Sequence, residues 1–244
     1  MPRISPDGYD ILVLPLSGGT STHINTGTAG SAGNFIEYGA PVNNALGLLN
    51  INNSKKGLYI PGSIIVTSVR NGAGGGNDVI SASPNISLSG WVFIRRYPNV
   101  PGEIFNKQYF LNGWSSPFLT FGFQMHTTQD GQIDLYITSG GVLQTQLRAP
   151  SNYGIPVGRW CHLGGTWDGT TMRMYINGSL ATSAAYIATI DYGSAENRGQ
   201  WYVGGIPGTS TNQETAMIVQ DIRVANIARP QSYFAEIYYN GFLP

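Results

Sequence analysis

Gly158-Arg159-Trp160-Cys161-His162-Leu163-Gly164-Gly165-Thr166-Trp167-Asp168-Gly169 runs through two threonines into Met172-Arg173-Met174-Tyr175-Ile176-Asn177-Gly178. Asp-Gly and Asn-Gly both tolerate positive φ and close tight turns between antiparallel strands. The stretch therefore predicts two consecutive hairpins, with strands at 160–167, at 172–176 and again from Ser179. A one-residue slip would turn every core side chain outward, so the two turns fix the register of three strands. Trp160 and Trp167 are large groups suited to the interface between two packed sheets. His162 has no Ser, Cys or carboxylate at a spacing that would make it a general base, and reads as a buried histidine with a satisfied hydrogen bond.

The same pattern extends outward. Leu119, Phe121, Phe123 and Met125 alternate with small or polar residues, as do Ile133, Leu135 and Ile137, with Asp130-Gly131 between the two runs. That is a hairpin with one apolar face. Ile218, Gln220, Ile222 and Val224 are expected on one face of a late strand, with Val219, Asp221 and Arg223 opposite. Further strands are expected near 11–16, 34–38, 57–60, 64–70 and 86–97. Trp91-Val92-Phe93-Ile94 is nearly continuous in apolar residues, as in a strand covered on both faces. The helix signal comes late: Pro230, then Phe234, Ile237 and Tyr238 at helical spacing, then Asn240-Gly241 as the stop. The Gly-rich run 71–77 reads as a loop. Together these features predict two packed antiparallel sheets and one short C-terminal helix in a single domain over 1–244.

Residues 158–178 resemble the laminin-G-like, concanavalin-A-like jelly roll, whose signature is a G-x-W-x-H strand, a T-[WY]-D-G turn and an [LM]-[YF]-[IV]-N-G hairpin. Ser89-Gly90-Trp91-Val92 precedes this signature in the family's order. Trp201-Tyr202-Val203-Gly204-Gly205 and Asp221-Ile222-Arg223-Val224-Ala225-Asn226 follow it. The resemblance covers 85–240, while 1–30 supplies an N-terminal arm and first strand. It implies an all-β two-sheet jelly-roll sandwich. Its fold signature falls on Trp91, Trp160, His162, Trp167, Asp168, Gly169, Tyr175, Asn177 and Gly178.

The resemblance also names chemistry to test. Its enzymatic members are glucanases with two carboxylates on one strand, one acting as acid and the other as base or nucleophile. None of Glu37, Glu103, Glu196, Glu214 and Glu236 heads an E-x-D or E-x-x-x-E pattern, and Asp130 and Asp134 are separated by the turn. No catalytic residue is assigned. Calcium, the family's other habit, needs six to eight converging oxygens, whereas Asp78, Asp168, Asp191 and Asp221 are isolated in sequence. No cofactor is expected, and calcium stays open only if those aspartates converge in space. Cys161 and His162 are adjacent and point to opposite faces, which argues against zinc.

The 244 residues carry 13 Lys+Arg and 13 Asp+Glu, for zero net charge. Charged residues make up 11% of the chain, against about a quarter in an average domain. Balanced charge removes the pull for nucleic acid and for anionic membrane, and no apolar run is long enough to cross a bilayer. What remains is binding. Sugar sites pair an aromatic face with amide hydrogen bonds, and Tyr97, Tyr109, Asn112 and Trp114 fall in expected loops where they could do this. They could equally pack a long loop onto the sandwich or onto a neighbouring subunit. The apolar run at 11–16 is too short for a secretory leader, and Cys161 is the only cysteine. A lectin-like chain without an export route is expected to be released by lysis. That makes it a bacteriophage virion surface protein, a capsid decoration or tail-fibre component, contacting other virion proteins, itself or a cell-surface glycan. A free-standing lectin is the alternative, and a glycoside hydrolase the third. Contacts with other chains are expected from 1–30 and from an exposed sheet edge.

Overall fold

The computed structural model describes residues 7–14, 22–23, 26–28, 35–38, 42–51, 54–60, 64–67, 84–97, 102–110, 117–125, 131–139, 142–187, 190, 198–204 and 216–241. In chain order the strands are β1 (Asp10–Leu14), β2 (Thr22–His23), β3 (Phe35–Tyr38), β4 (Val42–Ile51), β5 (Ser54–Ile60), β6 (Ile64–Thr67), β7 (Ile86–Ile94) and β8 (Gly102–Phe110). There follow β9 (Pro117–Met125), β10 (Ile133–Ser139), β11 (Val142–Arg148), β12 (Trp160–Trp167), β13 (Thr171–Ile176), β14 (Ser179–Ala185), β15 (Arg198–Val203) and β16 (Met217–Ala225), then helix α1 (Gln231–Gly241). One sheet runs β14-β13-β12-β7-β16-β5-β4, with β1 also on β16; the other runs β11-β10-β9-β8-β15-β6-β3-β2. Each is eight-stranded, and the chain is an all-β, two-sheet sandwich with one short C-terminal helix. The strands expected near 11–16, 34–38, 57–60 and 64–70 are β1, β3, β5 and β6 with shifted ends. β4 escaped the sequence reading because Asn43, Asn44 and Gly47 break its apolar alternation.

The two hairpins form as their turn residues dictate. Asn177 and Gly178 have φ of 53° and 77°, and Gly169 has φ of 90°. The resulting register sets Leu163 opposite Ile176 and Trp167 opposite Met172, while β7 lies on the other side with Leu163 opposite Gly90. Cys161, Leu163 and Trp167 then enter the core with Ile86, Leu88, Val92, Met172 and Met174. Phe123, Met125, Ile133, Leu135 and Ile137 enter it from the other sheet. A Cβ on Gly165 would lie 2.8 Å from Leu135 and 2.9 Å from Phe123, so the two sheets are in close contact there.

Two face assignments need correction. Trp160 is not between the sheets. It is an odd number of residues from Trp167, so it faces outward, paired edge-on with Phe93 at 5.6 Å. On β16, Ile222 and Val224 share the core with Val219 and Met217 rather than with Gln220. The cause is a bulge: Asp221 has φ of 51°, and the pairing with β7 shifts between Gln220 and Arg223.

Helix α1 starts directly after Pro230 and ends at Gly241, with Phe234, Ile237 and Gly241 buried. It lies on the outer face of the β12-bearing sheet. Phe234 stacks on Tyr175 at 4.6 Å, and Tyr238 stacks on Trp91 at 5.8 Å. Glycine makes the approach feasible, because a Cβ on Gly178 would lie 2.7 Å from the Ala235 Cα and one on Gly164 would lie 2.5 Å from the Phe234 ring.

Beneath and beside the helix is a buried polar layer. Arg223 donates from Nε to Asp221 at 3.2 Å and from Nη1 to the Tyr233 hydroxyl at 3.4 Å. Arg229 holds Asp7 through both terminal nitrogens, at 2.8 and 2.7 Å, and Asp10 at 2.7 Å. Within the arm 1–30, Asp7 and Asp10 are bound to Arg229 and β1 pairs with β16, because the buried Arg229 needs carboxylate partners. His162 is 1% exposed, with Trp91 at 5.2 Å and Phe234 at 6.3 Å. Contrary to expectation, neither Nδ1 nor Nε2 of its ring has a hydrogen-bond partner among the described residues. Aromatic faces surround it, and the hydrogen bonds here are on the backbone: the His162 N–H donates to Asn177 Oδ1 at 3.0 Å, and the Asn177 N–H to the His162 carbonyl at 2.9 Å. Burial pushes the imidazole down to about 3, against the pull of Asp221.

Two outcomes follow. Gly178→Ala is expected to cost roughly 2–4 kcal/mol in urea unfolding, from left-handed backbone plus collision with the helix. Gly158→Ala, also at positive φ but with nothing within 4 Å, should lose only about 1–2 kcal/mol; equal losses would mean that α1 is not seated on the turn. The second concerns acid. A histidine whose folded pKa is depressed leaves stability intact above the unfolded value of about 6.5 and removes it as pH falls. Between about pH 6.5 and 4.5 the wild type should lose roughly 2.5 kcal/mol that His162→Phe keeps; the same acid slope in both would contradict the buried neutral ring.

Candidate functional site

Charge is scarce in this chain, so where it is placed decides what the surface can do. Every aspartate whose side chain is described is held by an arginine. Asp134 is bound by Arg148 through Nε at 2.8 Å and Nη2 at 3.0 Å. Asp168 accepts from Arg173 at 2.5 Å, and also from the Thr170 and Thr171 N–H groups at 3.0 and 2.8 Å, which closes the turn that it opens. Asp221 pairs with Arg223, and Asp7 and Asp10 with Arg229. Burial works against the Asp168 charge, but Arg173 and the threonine donors outweigh it and hold the carboxyl well below the usual range. Arg229 holds Asp7 down at about 2. A carboxylate kept ionised by a guanidinium is poorly suited to act as a general acid. His162 is sealed under α1. Among the described residues, no group of three or more His, Cys, Asp or Glu is placed to hold a metal ion. Asp78 and Asp191 lie outside the described residues, as do the side chains of Glu37, Glu103, Glu196 and Glu214.

Three further arginines, none of them bound by a described aspartate, are brought by the β-register to one end of the β12-bearing sheet. Arg95 and Arg96 follow β7 directly, and Arg159 immediately precedes β12. Trp160 pairs with Phe93 across the two strands, and the Gly158 N–H donates to the Ile94 carbonyl at 2.9 Å. Arg159 therefore lies beside the end of β7 from which the other two emerge. All three are exposed, and Trp160 and Phe93 are half-buried. Val157, at 44% exposure, adds apolar surface. Of the segments meeting here, 84–97 and 149–167 contain no acidic residue. The third leads into β16 through Ala216, whose carbonyl accepts from the Arg95 N–H at 2.9 Å, and Glu214 two residues upstream lies outside the described residues. The arrangement can hold an acidic group against an aromatic face; it offers nothing to transfer a proton.

The residues expected to bind sugar fare unevenly. Tyr97 follows Arg96 but turns inward: its hydroxyl donates to the Ile155 carbonyl at 2.9 Å, and its ring packs on the core. Tyr109 is not in a loop. It belongs to β8, paired with Phe118 of β9 and Arg198 of β15, since backbone pairing on both sides extends the strand. Asn112 and Trp114 lie outside the described residues. Tyr97 thus follows a strand of one sheet, whereas Tyr109 lies within a strand of the other. The sequence reading gave no surface role to Arg95, Arg96, Arg159, Phe93 or Trp160, and placed Trp160 between the sheets. Two signals were available: an adjacent arginine pair in a chain with so few charges, and the odd spacing between Trp160 and Trp167.

The profile of the concanavalin A-like lectin/glucanases superfamily (Laminin_G_3) matches residues 68–232. No curated protein matches the chain. Among solved structures, the receptor-binding domain of botulinum neurotoxin C/D mosaic serotype aligns with a TM-score of 0.65 and 14% identity, over 95% of this chain and 51% of that one. Domain 4 of AbnA, a GH43 extracellular arabinanase from Geobacillus stearothermophilus solved with arabinotriose, gives 0.65 and 15%, over 94% and 98%. The Trypanosoma rangeli sialidase in complex with sialic acid gives 0.67 and 13%, over 96% and 33%. The chain thus spans about half of the toxin domain, a third of the sialidase and nearly all of the arabinanase domain. At these identities the likeness is one of fold. Among the described residues no helix is long and apolar enough to cross a membrane. With the two-sheet sandwich, the signature hairpins and the profile in agreement, the chain is a member of the concanavalin A-like lectin/glucanases superfamily.

Proposed function

We propose that the chain is a non-enzymatic binding domain that works by surface contact on a bacteriophage virion, as a capsid decoration or tail-fibre component touching other virion proteins and glycans. The observation that carries the non-enzymatic part is the pairing of all five described aspartates with arginines. Glycoside hydrolysis needs one carboxyl to donate a proton and a second to attack or activate water, and these acids are committed to the fold. Binding is supported by the fold's occurrence in a toxin receptor-binding domain and in an arabinanase domain holding arabinotriose.

The virion setting is supported by the surface. Only three lysines occur in the chain, and net charge is zero. Strand β14 ends its sheet with Ser-Leu-Ala-Thr-Ser-Ala-Ala, which has no charge or proline to block pairing. Such an edge suits packing against another subunit. The free-standing lectin is the second reading, favoured by the 98% coverage of the arabinanase domain.

Mass spectrometry of purified particles encoded by the same genome should find the chain in stoichiometric amounts with capsid or tail proteins. Its absence from particles, with transporter or polysaccharide-utilisation genes as neighbours, would overturn the virion setting. Incubated with polysaccharides, the protein should bind without releasing reducing ends; turnover lost on changing a single Asp or Glu would overturn the non-enzymatic reading.

A further inference from the structure

We infer that the Arg95, Arg96, Arg159, Trp160 and Phe93 surface is a binding site for acidic saccharides, carrying carboxylate or sulfate groups. The inference rests on the binding reading above and gives it a place and a ligand class.

The charge distribution selects the place. Of the seven arginines whose side chains are described, Arg148, Arg173, Arg223 and Arg229 are engaged by aspartates. The other three are exposed, and all lie at the same end of one sheet. Arg96 and Arg159 form no ion pair among the described residues. A guanidinium group presents a planar fork of donors that matches a carboxylate or sulfate. The C-terminus of α1 stops at Gly241, against Trp91 and two register rows from Trp160. It carries about half a negative charge, which the Arg96 and Arg159 guanidinium groups outweigh.

The aromatic pair selects the ligand. The Trp160 indole is half-buried, held edge-on by Phe93, and faces away from the core. A flat, fixed ring at the end of the sheet from which these arginines emerge suits the C–H face of a pyranose whose acidic substituent reaches them. A nucleic acid would also stack and carry charge, but a chain with zero net charge lacks the long-range field on which such binding depends.

The test is a titration followed by tryptophan fluorescence, with three probes: trigalacturonate, a heparin-derived tetrasaccharide, and fully methyl-esterified trigalacturonate as the neutral match. At least one acidic probe should bind about tenfold or more tightly than the ester, and weaken as salt rises from about 0.05 to about 0.5 M. Which acidic probe wins distinguishes carboxylate from sulfate. Arg96→Ser with Arg159→Ser should lose about tenfold in affinity for that probe while its circular dichroism and melting stay unchanged, as expected for exposed side chains. Trp160→Phe should bind with reduced affinity and lose most of the fluorescence response. Equal binding of ester and acid, or an unchanged arginine variant, would overturn this site while leaving the binding reading standing. Tighter binding of an oligothymidylate at the same arginines would overturn the ligand class. No binding of any probe, and none to a wider glycan array, would remove both.

Discussion

The Asn177-Gly178 turn is the constraint on which the rest of the structure depends. Asn177 exchanges hydrogen bonds with His162 of β12, and Gly178 lets Ala235 of α1 come against the backbone. One two-residue turn therefore sets the register of three strands and seats the helix that covers their outer face. The alternation that follows decides which groups are sealed and which are offered to solvent. Cys161, Leu163 and Trp167 go to the core; Trp160 and His162 go to the other face, where α1 covers one and leaves the other half-exposed.

The electrostatics follow the same division. A protein with few charges places its aspartates on guanidinium groups, some of them buried. Buried ion pairs contribute little net stability, but losing one partner is costly because the other stays desolvated. These pairs consequently read as specificity devices: Arg229 ties residues 7 and 10 to a site more than two hundred residues away, and Asp221–Arg223 stabilises a bulge. Arg95, Arg96 and Arg159, exposed at one end of a sheet beside the Trp160 strand end, are not bound by any described aspartate. That division, aspartates held by arginines and three further arginines facing solvent, leads from the structure to a molecule that acts by contact.

Much of this was legible in the sequence, and the omissions have physical reasons. Turn dipeptides, apolar alternation and the Pro230-to-Gly241 helix signals are local, and they gave β12, β13, β14, β7 and α1 with small boundary errors. The Asp221 bulge gives no comparable signal, because a non-glycine residue at positive φ is imposed by its surroundings. Strand β4, rich in asparagine, and the end of β8 at Tyr109 are held by backbone pairing to distant strands, which no local propensity reports. Of the candidate site, the sequence reading singled out Tyr97, which is next to it but turned inward. The arginines converge only once β7 and β12 are paired, so their cluster could not be read before the register was known.

Chemical-shift mapping with trigalacturonate on isotope-labelled protein, observing arginine Nε–Hε and tryptophan indole signals, tests the division of charge most directly. The account predicts movement of the Arg96, Arg159 and Trp160 signals, still signals from Arg148, Arg173, Arg223 and Arg229, and an intact sugar spectrum. Movement at the aspartate-bound arginines, or the appearance of cleaved sugar, would contradict it.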